Sequence, residues 1–189
     1  MKKILVSWTD VENHVQEILR QLHLDRWRPD YVVGITRGGL TPANLISQYL
    51  GCRMHSLDVS LRDAVDGMGP ESNLWMAEDA FGYLPTDVVP RTADSVTTDA
   101  NTRKNILIVD DINDSGATLN WIKQDWQSSC LPYDPRWIDE IWGHNVRVAV
   151  LYDNEVSKNQ MDIDYSAVTI NKAVDDAWIE FPWENWWAR

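Results

Sequence analysis

The sequence is poor in cysteine, in long apolar runs and in positive charge. Cys52 and Cys130 are its two cysteines, which is too few for the disulfide framework of a small secreted domain. No apolar stretch approaches the roughly 20 residues that a membrane-spanning helix needs. The apolar run near the start ends at Trp8, too early for a signal peptide. These absences predict a cytoplasmic protein with reduced thiols and no membrane segment.

The charge balance excludes one large class of partners. The chain has 17 Lys and Arg against 29 Asp and Glu, a formal net charge of -12. Proteins that follow nucleic-acid phosphates need clustered basic residues, so we expect no nucleic-acid partner. Acidity is compatible with carboxylate sites for Mg²⁺, or it serves only solubility. The length of 189 residues without internal repeats predicts a single domain over 1–189.

Short apolar runs of strand type alternate with helical patterns along most of the chain. Strands are predicted at 3–7, 31–35, 53–59, 105–109, 146–152 and 166–170. Helices are predicted from an N-cap at Thr9 or Asp10 to before Pro29, over 40–50 and over 116–128, with a short extra helix or turn at 132–142. This alternation predicts an α/β fold with a mostly parallel, twisted sheet flanked by helices.

The segment 60–104 breaks the alternation. It is rich in Gly, Pro, Asp, Ser and Thr and has weak periodicity. A loop of this length inside a compact domain is usually functional or disordered. We therefore predict a mobile lid over 60–104, with a short hairpin around Trp75 to Tyr83.

The strongest chemical pattern lies at 106–118. An apolar strand ends in Asp110-Asp111, a turn with Asp114 follows, and a helix begins at Gly116. Ligands of open α/β sheets bind beyond the carboxyl ends of the strands. In that turn, backbone N–H groups, hydroxyl groups and the positive end of a helix dipole form a phosphate cradle. The cradle residues are Ser115, Gly116, Ala117 and Thr118.

The paired carboxylates need a different partner from the phosphate, because like charges repel. They can accept hydrogen bonds from vicinal sugar hydroxyls, or hold Mg²⁺ bound to those hydroxyls. A carboxylate pair beside a phosphate cradle therefore describes a ribose 5-phosphate site. Alone, Asp110-Asp111 could be a solvated strand end or the acidic cluster of a phosphoacceptor receiver domain, but the cradle has no role in a receiver.

Three motifs resemble those of the type I phosphoribosyltransferases, and specifically their xanthine–guanine subgroup. The 106–118 run resembles the signature that binds 5-phosphoribosyl-1-pyrophosphate (PRPP). The stretch 34–43, with Arg37-Gly38-Gly39, resembles the pyrophosphate loop, and 177–184 resembles the C-terminal signature of the subgroup. The resemblance implies the type I fold, with a lid and a small base-binding hood over 153–189, and transfer of a 5-phosphoribosyl group from PRPP to a nucleobase.

The resemblance also implies roles for particular residues. Asp110 and Asp111 would bind the ribose hydroxyls and assist Mg²⁺, and Asp114 would be the general base or acid near a purine imidazole ring. The 115–118 cradle would hold the 5-phosphate. Arg37, Gly38 and Gly39 would meet pyrophosphate, with a cis peptide bond before Arg37. Trp178 would stack on the base and Ile179 would contact its edge, although Trp178 by itself is an ordinary candidate for core or interface packing.

One position departs from the family. Where the family has a Lys that binds the 6-oxo group of a purine, the aligned residue here is Asp153. An ionised Asp accepts hydrogen bonds and cannot donate them. Asp153 could instead accept from an exocyclic amine of the base, or Lys158 could supply the missing donor.

The sequence is compatible with two functions. The first is a magnesium-dependent purine phosphoribosyltransferase that forms a nucleoside monophosphate. The second is a PRPP-binding regulatory protein of the same fold without turnover. Relatives of this kind are usually dimers or tetramers, and the Trp-rich tail agrees with a homo-dimer or homo-tetramer.

Overall fold

The computed structural model describes residues 2–59, 74–84 and 98–188. Its main sheet has five strands in the order β3-β2-β4-β5-β6, and all four pairings are parallel. The strands are β1 (Lys2–Leu5), β2 (Tyr31–Ile35), β3 (Arg53–Leu57), β4 (Ile106–Asn113), β5 (Val146–Asn154), β6 (Tyr165–Ile170) and β7 (Ala177–Glu180). The helices are α1 (Trp8–Leu24), α2 (Leu40–Leu50), α3 (Leu74–Phe81) and α4 (Ala117–Ser129). The predicted α/β class with a parallel sheet is confirmed.

The sheet is buried on both faces, as the continuous apolar runs of its central strands predict. Alternate side chains of β4 point to opposite faces. Ile106 and Ile108 join a core with α3 and α4, and Leu107 and Val109 join a second core with α1 and α2. Two helical layers therefore enclose the sheet and leave its carboxyl edge accessible.

The boundaries of α2 agree with the prediction, because Gly51 takes a left-handed conformation (φ 63°) and ends the helix. The predicted N-cap of α1 was wrong. The N-cap is Ser7, whose hydroxyl accepts from the N–H of Asp10, while the Asp10 carboxylate accepts from the N–H of Ser7. This capping box places Asp10 in the first turn of the helix and not before it.

The hairpin predicted around Trp75 to Tyr83 was also wrong, because Leu74–Phe81 is a helix. Its buried side chains Met76, Ala77, Ala80 and Phe81 belong to the core on the α4 side. The end of the predicted lid, 98–104, is described and contains a short 3-10 helix at Ala100–Thr102. The segments 60–73 and 85–97 lie outside the described residues, so the lid remains a prediction. The expected short helix near 132–142 is a π-helix at Trp137–Ile141.

A second, two-stranded sheet joins the two ends of the chain. β1 and β7 pair in parallel, and Val6 N–H donates to the carbonyl of Glu180 (2.9 Å). Ile179 and Phe181 are buried in the same core as α1. Within the predicted hood region, β6 belongs to the main sheet and β7 to this small sheet. No described helix is both long and apolar enough to cross a membrane.

Candidate functional site

The site lies where the neighbouring parallel strands β2 and β4 end. Gly34 on β2 is in register with Val109 on β4, so the loop after β2 meets the last residues of β4. Both strands lead into helices, α2 and α4, whose N-termini carry no side-chain cap. The first turn of α4 therefore directs N–H groups to this edge of the sheet, which favours binding of anions. In α2 the N–H of Leu40 donates to the carbonyl of Arg37 (3.3 Å), and Pro42 has no N–H.

The paired acids lie inside β4, which continues to Asn113 and not, as predicted, only to Val109. Asp110 and Asp111 are both partly buried. The N–H of Asp111 donates to Oδ1 of Asp110 (3.0 Å). Pairing with β5 extends the strand, since Asp110 is in register with Val150 and Ile112 with Tyr152. The extended strand holds the two carboxylates rigidly.

Burial and negative charge raise the pKa of both carboxyl groups. Burial, followed by the charge of Asp111, raises the pKa of Asp110 well above its ordinary value. Burial, followed by the charge of Glu184, raises the pKa of Asp111 to about 6. Two neighbouring buried acids favour the approach of a positive ion or of hydroxyl donors.

The turn after β4 has the shape expected for a phosphate cradle. Gly116 adopts a left-handed conformation (φ 82°) at the N-cap of α4. A Cβ there would lie 2.4 Å from the backbone nitrogen of Asn159, so only glycine fits. Ser115 is exposed, its hydroxyl accepts from the N–H of Ala117 (3.3 Å), and Thr118 lies in the first turn of the helix.

The loop after β2 packs directly against Asp111. A Cβ on Gly38 would lie 1.9 Å from Oδ2 of Asp111, and one on Gly39 would lie 2.3 Å from the carbonyl oxygen of Val109. The peptide bond between Thr36 and Arg37 is cis, as the resemblance implies. Arg37 is exposed. The missing side chains of the two glycines thus let a backbone loop approach the acid pair closely.

Asp114 is held by contacts that local sequence patterns did not predict. Lys172, from the loop after β6, places Nζ 2.8 Å from Oδ2 of Asp114. The side-chain amide of Asn154 donates to the carbonyl of Asp114 (3.0 Å) and accepts from the N–H of Lys172 (3.1 Å). One buried asparagine at the end of β5 therefore joins the turn after β4 to the loop that carries Lys172.

Asp153 takes part in a polar cluster beside the turn. Oδ1 of Asp153 accepts from the side-chain amide of Asn113 (2.7 Å), which also contacts Ser157 Oγ (2.9 Å) and Asn159 Oδ1 (3.3 Å). Asn113 is 3% exposed. One oxygen of the Asp153 carboxylate thus already accepts a hydrogen bond from within the protein. Lys158 is exposed, and its backbone N–H donates to the carbonyl of Ser115 (3.1 Å).

The C-terminal motif closes over the acid pair. Trp183 stacks on Phe181 with ring centroids 4.9 Å apart. The indole nitrogen of Trp183 is buried and forms no hydrogen bond of ordinary distance and angle. It lies near Asp111, and this proximity lowers the pKa of that carboxyl group. The carboxylate of Glu184 accepts from the N–H of Phe181 (3.0 Å) and raises the pKa of Asp111 by its charge. The acid cluster therefore includes a residue from the other end of the chain.

Trp178 and Ile179 lie on β7, the strand before this motif. Trp178 is half-buried, whereas the side chain of Ile179 is buried in the core. β7 pairs with β1 along one edge, and no described strand pairs with its other edge. The backbone of Ile179 can therefore contact a ligand only along the side away from β1.

The donor set fits a shared magnesium site. Within 2–59, 74–84 and 98–188, no group of three or more His, Cys, Asp or Glu side chains is arranged to hold a metal ion by itself. Mg²⁺ commonly takes one or two protein carboxylates and completes its shell with water and substrate oxygens. Asp110 and Asp111 match that arrangement. Their pKa is raised first by burial and then by neighbouring negative charge.

Two of the three predicted groups of site residues meet at one edge of the sheet. These are the acids with the 114–118 turn, and the loop with Arg37, Gly38 and Gly39. Sequence patterns missed Asn154, Lys172 and Glu184, since each reaches the site through contacts between distant segments. Of these three residues, only Glu184 belongs to a motif visible in the sequence, since it is the last residue of the 177–184 motif.

The family model described as the phosphoribosyl transferase domain matches residues 3–186. The chain is 28% identical over 184 residues to a xanthine-guanine phosphoribosyltransferase of Cereibacter sphaeroides, covering 95% of this chain and 85% of that protein. It is 20% identical over 203 residues to xanthine phosphoribosyltransferase 1 of Saccharomyces cerevisiae, covering 97% and 90% of the two chains.

Similar folds occur among solved structures. A purine phosphoribosyltransferase from Pyrococcus horikoshii matches with a TM-score of 0.59 and 22% identity, over 98% of this chain and 96% of that one. A xanthine-guanine-hypoxanthine phosphoribosyltransferase from Helicobacter pylori matches with a TM-score of 0.57 and 19% identity, over 97% and 95%. At these identities, the structural matches establish a common fold.

Proposed function

The chain belongs to the phosphoribosyl transferase domain family, and from this premise we propose that it transfers the 5-phosphoribosyl group of PRPP to a purine base. The products are a nucleoside monophosphate and pyrophosphate. The observation that carries the proposal is the meeting of a carboxylate pair, the N-terminus of α4 and the loop with Gly38 and Gly39 at one sheet edge. A ribose that bears a 5-phosphate and a pyrophosphate presents hydroxyls between two anionic groups, and this edge offers a partner for each.

The turn after β4 binds the ribose 5-phosphate in this proposal. Asp110 and Asp111 accept hydrogen bonds from the ribose hydroxyls, and Ser115, Gly116, Ala117 and Thr118 hold the phosphate through N–H and hydroxyl groups. The helix dipole of α4 adds a favourable field at its N-terminus. The left-handed Gly116, packed on Asn159, supports this role because it keeps the turn in one shape.

The loop after β2 binds the pyrophosphate. Arg37 is exposed beside the site and carries a permanent positive charge, which suits an anion that gains charge as it leaves. Gly38 brings the backbone of this loop next to Asp111, and the N–H of Gly39 holds the loop in place by donating to the carbonyl of Ile35 (2.9 Å). The bond from the anomeric carbon to the pyrophosphate oxygen breaks, and the bonding electrons leave with pyrophosphate.

The base attacks the same anomeric carbon from the opposite face. One imidazole nitrogen forms the new bond to the sugar, and the other imidazole nitrogen gives up its proton to the carboxylate of Asp114. Trp178 stacks on the base and the backbone of Ile179 contacts its edge. Asp153 is the further predicted base contact, where an acceptor would suit an exocyclic amine. Water has to be excluded from the closed site, since it would otherwise hydrolyse PRPP.

Asp110 and Asp111 are the residues that would hold Mg²⁺ together with substrate oxygens. A bound Mg²⁺ would supply charge stabilisation for the departing pyrophosphate. Burial first, and neighbouring negative charge second, raise the pKa of both acids. A bound cation would favour their ionised form, which supports the assignment.

The protein is further proposed to form a homo-dimer or homo-tetramer. Large apolar side chains are exposed at both ends of the chain, and these are Leu5, Trp8, Trp186 and Trp187. Exposed apolar side chains of this size are suited to a subunit interface. Light scattering coupled to size-exclusion chromatography tests this by mass, since a monomer of 21.8 kDa at all concentrations would refute it.

A pyrophosphate-release assay tests the proposed function. The protein is incubated with PRPP, Mg²⁺ and, in turn, hypoxanthine, guanine, xanthine and adenine. We expect release that depends on both PRPP and one of these bases. Tight PRPP binding with no release for any base would instead favour a PRPP-binding regulatory protein of the same fold.

A further inference from the structure

Asp153 leaves the base site without the donor that a 6-oxo group requires. An ionised carboxylate repels a carbonyl oxygen, and Oδ1 of Asp153 already accepts from Asn113. A protein that accepts 6-oxopurines must therefore supply a donor from another part of the chain.

Lys172 is placed to be that donor. Its Nζ lies 2.8 Å from the carboxylate of Asp114, and its side chain is 15% exposed, whereas that of Asp114 is 49% exposed. The Lys172 ammonium therefore lies within hydrogen-bonding distance of Asp114, the residue proposed to take the imidazole proton. Lys158, the other candidate, has an exposed side chain with no hydrogen bond or ion pair recorded among the described residues.

The position of Lys172 is built into the fold. Its backbone N–H is bound by Asn154, a side chain 5% exposed, whose amide also binds the carbonyl of Asp114. The preceding residue, Asn171, donates to Glu155 (2.5 Å) and accepts from the N–H groups of Ala173 and Val174. The backbone of Lys172 is thus held next to the backbone of Asp114 by one buried side chain.

The chemistry of purines makes this spacing selective. N7 and the 6-oxo oxygen lie side by side on one edge of guanine, close enough that a single Lys or Arg contacts both, whereas adenine has an amine donor at C6. When Asp114 accepts a hydrogen bond from N7–H of the base, the Lys172 ammonium beside Asp114 lies next to the substituent on C6. A carbonyl oxygen accepts from this ammonium, and an amine is repelled by it.

We propose that Lys172 determines the acceptor base, by donating a hydrogen bond to the 6-oxo oxygen of a purine whose imidazole proton is taken by Asp114. This inference rests on the proposed function and replaces the donor that Asp153 cannot provide. Before the base binds, the two side chains neutralise each other. With the base bound, each has a complementary partner on the same purine edge.

The test compares hypoxanthine and adenine, which differ in the substituent on C6 and in the hydrogen on the neighbouring N1. In the Lys172→Met variant, kcat/KM for hypoxanthine should fall about 10–100-fold, the cost of losing a charged hydrogen bond. The value for adenine should stay equal or rise, and PRPP affinity should not change. Lys2→Met is the matched control, because Lys2 forms an exposed ion pair with Asp175 of the same loop, and it should leave both values unchanged.

Three results would overturn the inference. Equal losses for both bases would mean that Lys172 acts only through Asp114. Unchanged kcat/KM for both bases would mean that Lys172 does not contact the base. Loss of selectivity in Lys158→Met but not in Lys172→Met would transfer the role to Lys158.

Equilibrium binding of the two product nucleotides separates this inference from the proposed function. If the wild-type protein turned over no base, the proposed function would fail, but calorimetry with inosine and adenosine monophosphates would still decide the role of Lys172. Preference for the inosine nucleotide that disappears in Lys172→Met supports the inference. No preference in the wild type, or one that survives the substitution, overturns it.

Discussion

At the scale of single residues, Asp114 combines an exposed carboxylate with a backbone carbonyl fixed by Asn154. Replacing Asp114 by Asn keeps the size and removes the base. Turnover should fall about 10²–10⁴-fold, the usual contribution of a general acid or base, while PRPP affinity changes much less. Steady-state pyrophosphate release and calorimetric titration with PRPP measure the two effects. Equal loss of both would contradict the role given to Asp114.

Arg37 is the cation that the structure leaves exposed beside the two glycines. Arg37→Ala should weaken PRPP and pyrophosphate binding about 10–100-fold, as expected for loss of a charged hydrogen bond. Arg20→Ala is the matched control, since Arg20 is an exposed arginine that pairs with Glu17 on α1. PRPP affinity that is the same in both variants would count against the pyrophosphate role.

At this scale, sequence reasoning identified residues whose type and spacing form a local pattern. The residues Asp110, Asp111, Asp114 and Gly116 fall within seven positions, at the end of one strand and in the turn after it. A strand, a turn and a helix therefore suffice to bring them together. Lys172 is 58 positions from Asp114. Its place depends on the end of β5 and on a buried amide, and no local spacing encodes that contact.

At the scale of elements, the site depends on how closely the loop after β2 approaches β4. Gly38→Ala would put a methyl group where the carboxylate of Asp111 lies, so the loop or the acid must move. We expect at least a 10-fold loss of PRPP affinity, because the displaced Asp111 would lose a charged hydrogen bond to the ligand. Calorimetric titration of PRPP with Mg²⁺ measures it.

The control for this prediction is Gly51→Ala. A Cβ at Gly51 meets no atom within 4 Å, but the residue is left-handed (φ 63°), so the substitution should cost about 1 kcal/mol of stability. PRPP affinity should be kept. If Gly38→Ala retained full affinity, the packing of the loop against Asp111 would have no part in binding.

The elements that sequence predicted well are those with strong local signals. β2 and α2 have continuous apolar or helical patterns, and Gly51 marks the end of the helix. The helix α3 was missed because it has eight residues between segments rich in Gly and Pro, and its buried face is fixed by packing against the core. The end of β4 was missed because Asp and Asn disfavour strands, and only pairing with β5 extends it.

At the scale of the whole molecule, the acid cluster links stability to pH. Because burial raises the pKa of Asp111 to about 6, the folded protein holds a proton that the unfolded chain has released between about pH 4 and pH 6. The free energy of unfolding contributed by this group therefore falls as pH rises through that window. Ionisation of Asp111 at neutral pH is thus a cost to stability, which binding of a cation can offset.

Asp111→Asn should accordingly stabilise the protein at high pH while abolishing its function. At pH 8 we expect the melting temperature to rise by about 3–6 °C, as for roughly 1–2 kcal/mol in a chain of this size. At pH 4.5 the two proteins should melt within error of each other, because the wild-type carboxyl is then protonated. Scanning calorimetry at both pH values measures the difference, and a destabilised variant at pH 8 would contradict the pKa assignment.

Ligand should reverse that order. With PRPP and Mg²⁺ at 100 times the dissociation constant, the wild-type protein gains about 2.7 kcal/mol of stability, whereas Asp111→Asn should gain little. This reversal of the two melting temperatures would show that the acid that destabilises the free protein stabilises the complex with PRPP and Mg²⁺.

The most direct measurement of the central claim is a crystal structure with PRPP and Mg²⁺. We predict that the ribose hydroxyls and the cation lie against Asp110 and Asp111, that the 5-phosphate lies on the backbone of the 115–118 turn, and that the pyrophosphate contacts the loop with Arg37. PRPP bound at another place, or bound with these acids facing away from the sugar, would contradict the claim.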